Sequence, residues 1–151
     1  MNIENEIVIK FPSQSKNEGF ARSAAAAFAA QLDPTLDELG DIKTSVSEAV
    51  TNCIVHAYPN EIGEVTMKMR ILPGNVLEIT VKDAGCGIED VEQARQPLYT
   101  TGGEERSGMG ITIMESFMND LRIKSVLGKG TSVRMRKRIV SRRDQACAPR
   151  R

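Results

Sequence analysis

Four short stretches of this 151-residue chain carry side chains able to do chemistry. Glu48, Asn52 and His56 stand four residues apart, which on a helix sets them along nearly one line. The amide oxygen of Asn52 can serve a hard metal ion, and a carboxylate one turn away at Glu48 can orient or deprotonate a hydroxyl. From spacing alone the simpler alternative is a solvated helix face, with His56 capping the C-terminus against the helix dipole. Further on, Asp83-Ala84-Gly85-Cys86-Gly87-Ile88 follows a strand-like run. A strand-end carboxylate can accept a hydrogen bond from an exocyclic amino group, and glycines let the backbone approach a flat base. An ordinary glycine turn is the alternative. A dinucleotide fingerprint is not, because G-x-G-x-x-G and its strong helix are missing.

The third stretch, Arg106-Ser107-Gly108-Met109-Gly110, stands before a helical pattern. Helix N-termini present free amides, glycines let a phosphate come close, and Arg106 adds a bidentate charge. A flexible hinge would look the same. The fourth, Gly128-Lys129-Gly130-Thr131, feeds the last strand, where Thr131 can bond a base or a water beneath it. A glycine hairpin turn is the commoner explanation of that pattern.

The elements that must position these residues follow from period and punctuation. Residues 6 to 11 are β-branched and end at Pro12, which predicts a strand. Ser13 or Ser15 then caps a helix with an apolar stripe of Phe20, Ala24, Ala27, Phe28 and Leu32, stopping before Pro34. A second helix starts within residues 35 to 41, carries Ile42, Val46, Ala49, Val50, Cys53 and Ile54 on one face, and ends at Tyr58-Pro59. Strands at about 63 to 72 and 75 to 82 join through Pro73-Gly74-Asn75 as a hairpin. A short helical stretch near 89 to 95 precedes a lid running to about 110. A helix at about 110 to 118, a strand at 120 to 127 and a strand at 131 to 140 complete the order. This order predicts an α/β sandwich, an α+β fold with helices on one face of a mixed, mostly antiparallel sheet.

Length and charge limit the function classes. One core and one domain, residues 3 to 140, are expected at this size. Lysine and arginine total 20 and aspartate and glutamate total 20, yet residues 134 to 151 hold eight basic side chains against Asp144 alone, leaving the body at −7. An acidic body argues against a duplex-DNA-binding surface, and residues 141 to 151 are expected to form a disordered basic tail, which either stays solvated or touches an acidic partner. Cys53, Cys86 and Cys147 are odd in number and widely spaced, which suits reduced thiols in a cytosol. No apolar run reaches membrane-spanning length, so a cytoplasmic protein is expected.

Each stretch is ambiguous by itself, but their order is specific. A helical Glu-x-x-x-Asn, a strand-end Asp-x-Gly-x-Gly, a Gly-x-Gly before a helix and a late Gly-x-Gly-Thr resemble the N, G1, G2 and G3 boxes of the GHKL ATPases. Within that group, Gln31-Leu32-Asp33-Pro34-Thr35, Ser47-Glu48-Ala49-Val50-Thr51-Asn52 and Ala94-Arg95-Gln96-Pro97-Leu98 resemble the serine kinase branch, the anti-sigma F factor (stage II sporulation protein AB) family. The resemblance implies the GHKL, or Bergerat, ATP-binding fold with ATP or ADP and Mg²⁺ bound. Carried over by motif, Asn52 holds Mg²⁺, Asp83 reads adenine, Gly85, Gly87, Gly108 and Gly110 line the pocket, and Thr131 sits near the base. Thr100, Thr101, Ser107 and Met109 join them as nucleotide contacts. Glu48 is the implied catalytic base, with Arg106 neutralising charge.

The same resemblance implies a homodimer that binds and inhibits sigma factor F and phosphorylates a serine of the anti-anti-sigma factor, stage II sporulation protein AA. Glu18 and Arg22 match its partner-docking positions, although Arg22 also reads as a plain solvated residue. The alternatives are a kinase of the same family with another client sigma factor, or a nucleotide-gated binding module with little transferase activity. The latter is suggested by Thr100-Thr101-Gly102-Gly103-Glu104-Glu105-Arg106, where the family pattern has a Lys-Pro pair and one more residue. No direct DNA or membrane binding is expected.

Overall fold

The computed structural model describes residues 2–88 and 110–140. The chain runs β1 (Asn5–Pro12), α1 (Asn17–Ala29), α2 (Leu36–Asn52), β2 (Glu64–Leu72), β3 (Val76–Asp83), α3 (Gly110–Phe117), β4 (Asp120–Val126) and β5 (Gly130–Arg138). The five strands form one sheet in the order β1-β2-β3-β5-β4. Every neighbouring pair is antiparallel, so the mixed character expected from sequence is absent among the described strands. The helices cover one face, as the sequence order requires.

Alternation decides which side of each strand meets them. Val65, Met67, Met69 and Ile71 of β2, Leu77, Ile79 and Val81 of β3, and Val133 and Met135 of β5 are buried beneath the helices. Helix α2 lies centrally, packed between α1 and α3, and buries Ile42, Val46, Ala49 and Val50. It begins with a capping box, in which Glu38 N donates to Thr35 Oγ1 at 3.1 Å and Thr35 N to Glu38 Oε1 at 2.9 Å. Two otherwise unpaired donors are thereby satisfied at the helix start.

The opposite sheet face is polar and carries a cross-strand charge ladder. Glu6, Arg70, Glu78 and Arg136 are successive neighbours across β1, β2, β3 and β5. Glu78, only 4% exposed, lies between Arg136 Nε at 2.8 Å and Arg70 at 3.8 Å, and Arg70 Nε reaches Glu6 at 2.6 Å. Half of the basic run noted in the sequence therefore belongs to the sheet. Arg134 pairs with Asp120 at 3.5 Å and Lys137 with Asp41 at 3.3 Å, tying β5 to β4 and to α2.

Two local expectations are corrected around α1. Neither serine caps it: the N-cap is Lys16, without a side-chain bond, while Ser13 Oγ accepts from Gly63 N at 2.9 Å. The buried face is Ala21, Ala25, Phe28 and Ala29, whereas Phe20 is 58% exposed and Ala27 faces solvent. A run of alanines has no intrinsic phase, so the close approach to α2 chooses the face. The stretch near 89 to 95, the lid and the tail from 141 to 151 lie outside the described residues. Among the described residues no helix is long and apolar enough to cross a membrane.

Candidate nucleotide site

The expected second helix stops being α-helical at Asn52 and widens. Cys53–Ala57 form a π turn, with Tyr58 N donating to Cys53 O at 3.2 Å. Such turns are rare and gather at functional sites. Here the turn meets the loop after β3. Cys86 N donates to Ala57 O at 3.1 Å, and Cys86 Sγ donates to His56 O at 2.9 Å.

Asp83, the last residue of β3 and only 7% exposed, is held from three elements. Its Oδ1 accepts from Gly85 N at 3.0 Å and from Thr131 N at 3.1 Å. Its Oδ2 accepts from Cys53 Sγ at 3.5 Å. Three donors compensate a carboxylate that burial alone would penalise. Burial, with the Asp83 charge beside it, pushes the Cys53 thiol far above its ordinary range, so the group stays protonated as a donor. Tyr58 Oη accepts from Ala84 N at 2.7 Å and donates to Glu64 O at 2.9 Å. Burial raises this phenol too, against the opposing effect of the Ala84 bond and with further help from Asp83.

The glycines of this region sit where other chain segments press in. A Cβ on Gly85 would stand 2.3 Å from Ala57 O, and one on Gly87, whose φ is +76°, 2.4 Å from Val126 O. No larger residue fits the junction of the π turn, the Asp83 loop and the β4–β5 hairpin. Ser125 closes that junction, accepting from Ile88 N at 2.7 Å and lying 2.7 Å from Thr131 Oγ1. Asp83, Gly85, Gly87 and Thr131, four residues singled out by sequence, are thus brought together.

Glu48 and Asn52 lie one turn apart on α2 and converge on Gly110, the first residue of α3. A Cβ on Gly110 would stand 2.8 Å from Glu48 Oε2 and 3.6 Å from both terminal atoms of the Asn52 amide. A carboxylate and an amide therefore face a helix N-terminus, whose free amides favour anions. Glu18 and Arg22 are elsewhere, on α1. They pair at 3.5 Å, Ser47 bonds Glu18, and with Lys43 and Thr44 they line a groove between α1 and α2. Thr100, Thr101, Arg106, Ser107, Gly108 and Met109 lie outside the described residues.

The amide oxygen of Asn52 suits Mg²⁺, which takes one or two protein oxygens and completes its shell with phosphates and water. Among the described residues no group of three His, Cys, Asp or Glu could hold a metal by itself, so the donor set fits a phosphate-bridged ion rather than a protein cage. Three residues of the region escaped the sequence reading: Cys53, Tyr58 and Ser125. Ser125 had a signal, since it is a polar residue on the face of β4 that otherwise shows Leu121 and Ile123 to the core. Cys53 read as one more apolar helix residue.

Fold and site together define an ATP-binding domain of the histidine kinase-like class, and the family model for the histidine kinase-like ATPase domain matches residues 11–137. The same fold occurs in the RsbU and RsbW domains of Rv1364c from Mycobacterium tuberculosis, with a TM-score of 0.65 at 17% identity over 89% of this chain and 32% of that one. It occurs also in the histidine kinase domain of the Erythrobacter litoralis blue-light activated histidine kinase, with a TM-score of 0.57 at 20% identity over 81% of this chain and 61% of that one. Sequence relatives narrow the class. The anti-sigma F factor of Caldanaerobacter subterraneus subsp. tengcongensis is 59% identical over 140 residues, covering 92% of this chain and 97% of the relative. That of Geobacillus kaustophilus is 52% identical over 138 residues, 91% of this chain and 94% of the relative. The chain belongs to the anti-sigma F factor family.

Proposed function

We propose that this protein is an anti-sigma factor that binds and inhibits sigma factor F and phosphorylates a serine of its anti-anti-sigma partner, stage II sporulation protein AA, using Mg-ATP. The observation that carries the kinase half is the convergence of Glu48 and Asn52 on Gly110 at the start of α3. The relatives' shared name supports the anti-sigma half. Cytoplasmic location and a homodimer belong to the same reading, with Glu18 and Arg22 on the docking surface.

Asp83 accepts a hydrogen bond from the adenine amino group. Thr131, whose backbone already bonds Asp83, borders the base, and Gly85 and Gly87 form the adjoining wall. The phosphates lie toward the N-terminus of α3, whose free amides favour anions. Asn52 supplies the side-chain oxygen that would hold Mg²⁺, which when bound would neutralise phosphate charge, and Glu48 stays free of the ion. Glu48 then takes the proton of the partner's serine hydroxyl as that oxygen bonds to the γ-phosphorus and the bond to ADP breaks. Arg106, Ser107, Gly108, Met109, Thr100 and Thr101 are assigned to the phosphate end by motif, with Arg106 countering the charge that develops.

The test is a mixture of the protein, Mg-ATP, sigma F and the unphosphorylated partner, read for sigma binding and phosphoserine together. Wild type should hold sigma F and form phosphoserine. Glu48→Gln should keep nucleotide and sigma binding and lose about two to four orders of magnitude in transfer rate, the range ascribed to a general base. Sigma binding without phosphoserine in wild type would instead establish a nucleotide-gated binding module.

A further inference from the structure

The Asp83 carboxylate offers about four acceptor positions, two on each oxygen. Oδ1 receives two backbone amides, from Gly85 and Thr131. Oδ2 receives the Cys53 thiol, which leaves a single acceptor position open among the described contacts. The thiol comes from the π turn, whose neighbouring carbonyls hold the loop that follows Asp83. Both partners are buried, Cys53 at 3% exposure and Asp83 at 7%, so water competes poorly for that bond.

We propose that Cys53 is a positioning residue for base selection, donating its thiol proton to Oδ2 so that Asp83 presents one acceptor of fixed direction to the 6-amino group of a purine nucleotide. The proposal rests on the assignment of Asp83 as the base acceptor. A base with a 6-amino group supplies the proton that the open position lacks. A 6-oxo base brings a second acceptor to the same place and is refused, because two acceptors facing each other in a buried site leave both unsatisfied. Without the thiol, Oδ2 loses the donor that sets its tilt and recruits solvent, so the preference for the amino base weakens. Cys53 touches no nucleotide in this scheme and acts only through Asp83.

The experiment measures calorimetric affinity for Mg-ATP and Mg-inosine triphosphate, which differ at the purine 6-position, in wild type, Cys53→Ala, Cys53→Val and Cys53→Ser. Alanine and valine remove the proton, valine keeps the volume, and serine keeps a donor. The expected result is an ATP preference in wild type that falls about threefold to tenfold in the alanine and valine variants, the range of one hydrogen bond, with inosine triphosphate affinity within about twofold of wild type. Serine should recover at least half of the lost preference on a logarithmic scale. An unchanged ratio in whichever of the alanine and valine variants stays folded, or equal weakening of both nucleotides, overturns the proposal and leaves Cys53 as packing. A serine variant no more selective than alanine overturns it as well. Wild type binding both nucleotides alike overturns the Asp83 assignment itself, and the absence of all nucleotide binding overturns the wider functional reading.

Discussion

Gly110 has no space for a side chain while Glu48 stays in place: a Cβ there would lie 2.8 Å from Glu48 Oε2. The obstructing atom is the end of a flexible side chain, so the fold can yield where the site cannot. Gly110→Ala should cost less than about 1 kcal/mol in stability, since alanine also favours the helix. Phosphotransfer should fall at least about tenfold, the scale expected when a catalytic group moves by a fraction of an ångström to one ångström. Denaturant titration and a phosphoserine assay on the same preparation check both halves. Full activity in a folded variant would remove Glu48 from the base role.

Asp83→Asn tests the other end of the site. The amide can keep one oxygen for Gly85 N and Thr131 N, but it then turns an NH₂ group toward both the Cys53 thiol and the incoming adenine. A donor facing a donor is lost affinity without lost volume. ATP affinity should drop by about tenfold to a hundredfold, equivalent to roughly 1.4 to 2.8 kcal/mol, by calorimetry. Affinity unchanged from wild type would show that adenine is read elsewhere.

Much of this architecture could be read from the chain, and the parts that could not share a cause. Helix α2 was legible because Ile42, Val46, Ala49 and Val50 keep a helical period, while its start at the Thr35–Glu38 capping box was bracketed only within residues 35 to 41. The β2–β3 hairpin was legible because Gly74 and Asn75 tolerate the positive φ that its turn requires, +84° and +60°. Phase failed in α1, where identical methyl groups surround the helix and only packing against α2 distinguishes them. The widening at Cys53 was invisible because nothing in Cys53-Ile54-Val55-His56-Ala57 opposes an ordinary α-helix. The contacts that accompany it come from Cys86, about thirty residues away, which bonds the His56 and Ala57 carbonyls. The order of the motifs thus singled out Asp83, Glu48 and Asn52 as candidates, while the partners of Asp83 depended on contacts between distant segments.

Glu78 should anchor stability rather than function. It is 4% exposed on the sheet face away from α1, α2 and α3, where it is the close partner of Arg136 and a longer-range partner of Arg70, which also holds Glu6. Glu78→Ala removes the anion between two guanidinium groups; because both are nearly three-tenths exposed and Arg70 keeps Glu6, the cost is discounted from that of a fully buried pair to about 1 to 3 kcal/mol. Chemical denaturation should show that loss, with ATP affinity per folded molecule changed less than about twofold because Glu78 is on the opposite face from the site. A loss below about 0.5 kcal/mol would mean that the ladder behaves as an ordinary solvated surface network.

Alkaline pH offers an independent check on the burial of Cys53 and Tyr58. Both groups hold their protons more tightly when folded than their ordinary values allow. Above about pH 9 for the thiol and about pH 10 for the phenol, the unfolded chain releases protons that the folded chain keeps. The folded state then binds more protons than the unfolded one, so stability is full below pH 9 and declines as pH rises, by up to about 1.4 kcal/mol per pH unit for the thiol and by less for the better-solvated phenol. Between pH 9 and 10 the thiol acts alone, and Cys53→Val should flatten that part of the profile while leaving the later, phenol-dependent decline. Tyr58→Phe should do the reverse and also lower stability at neutral pH by about 1 to 2 kcal/mol, because Ala84 N loses its acceptor. Urea unfolding midpoints taken from pH 7 to 11 distinguish the two variants. A wild-type profile that is level through pH 10 would contradict the protonated, buried thiol on which the geometry around Asp83 depends.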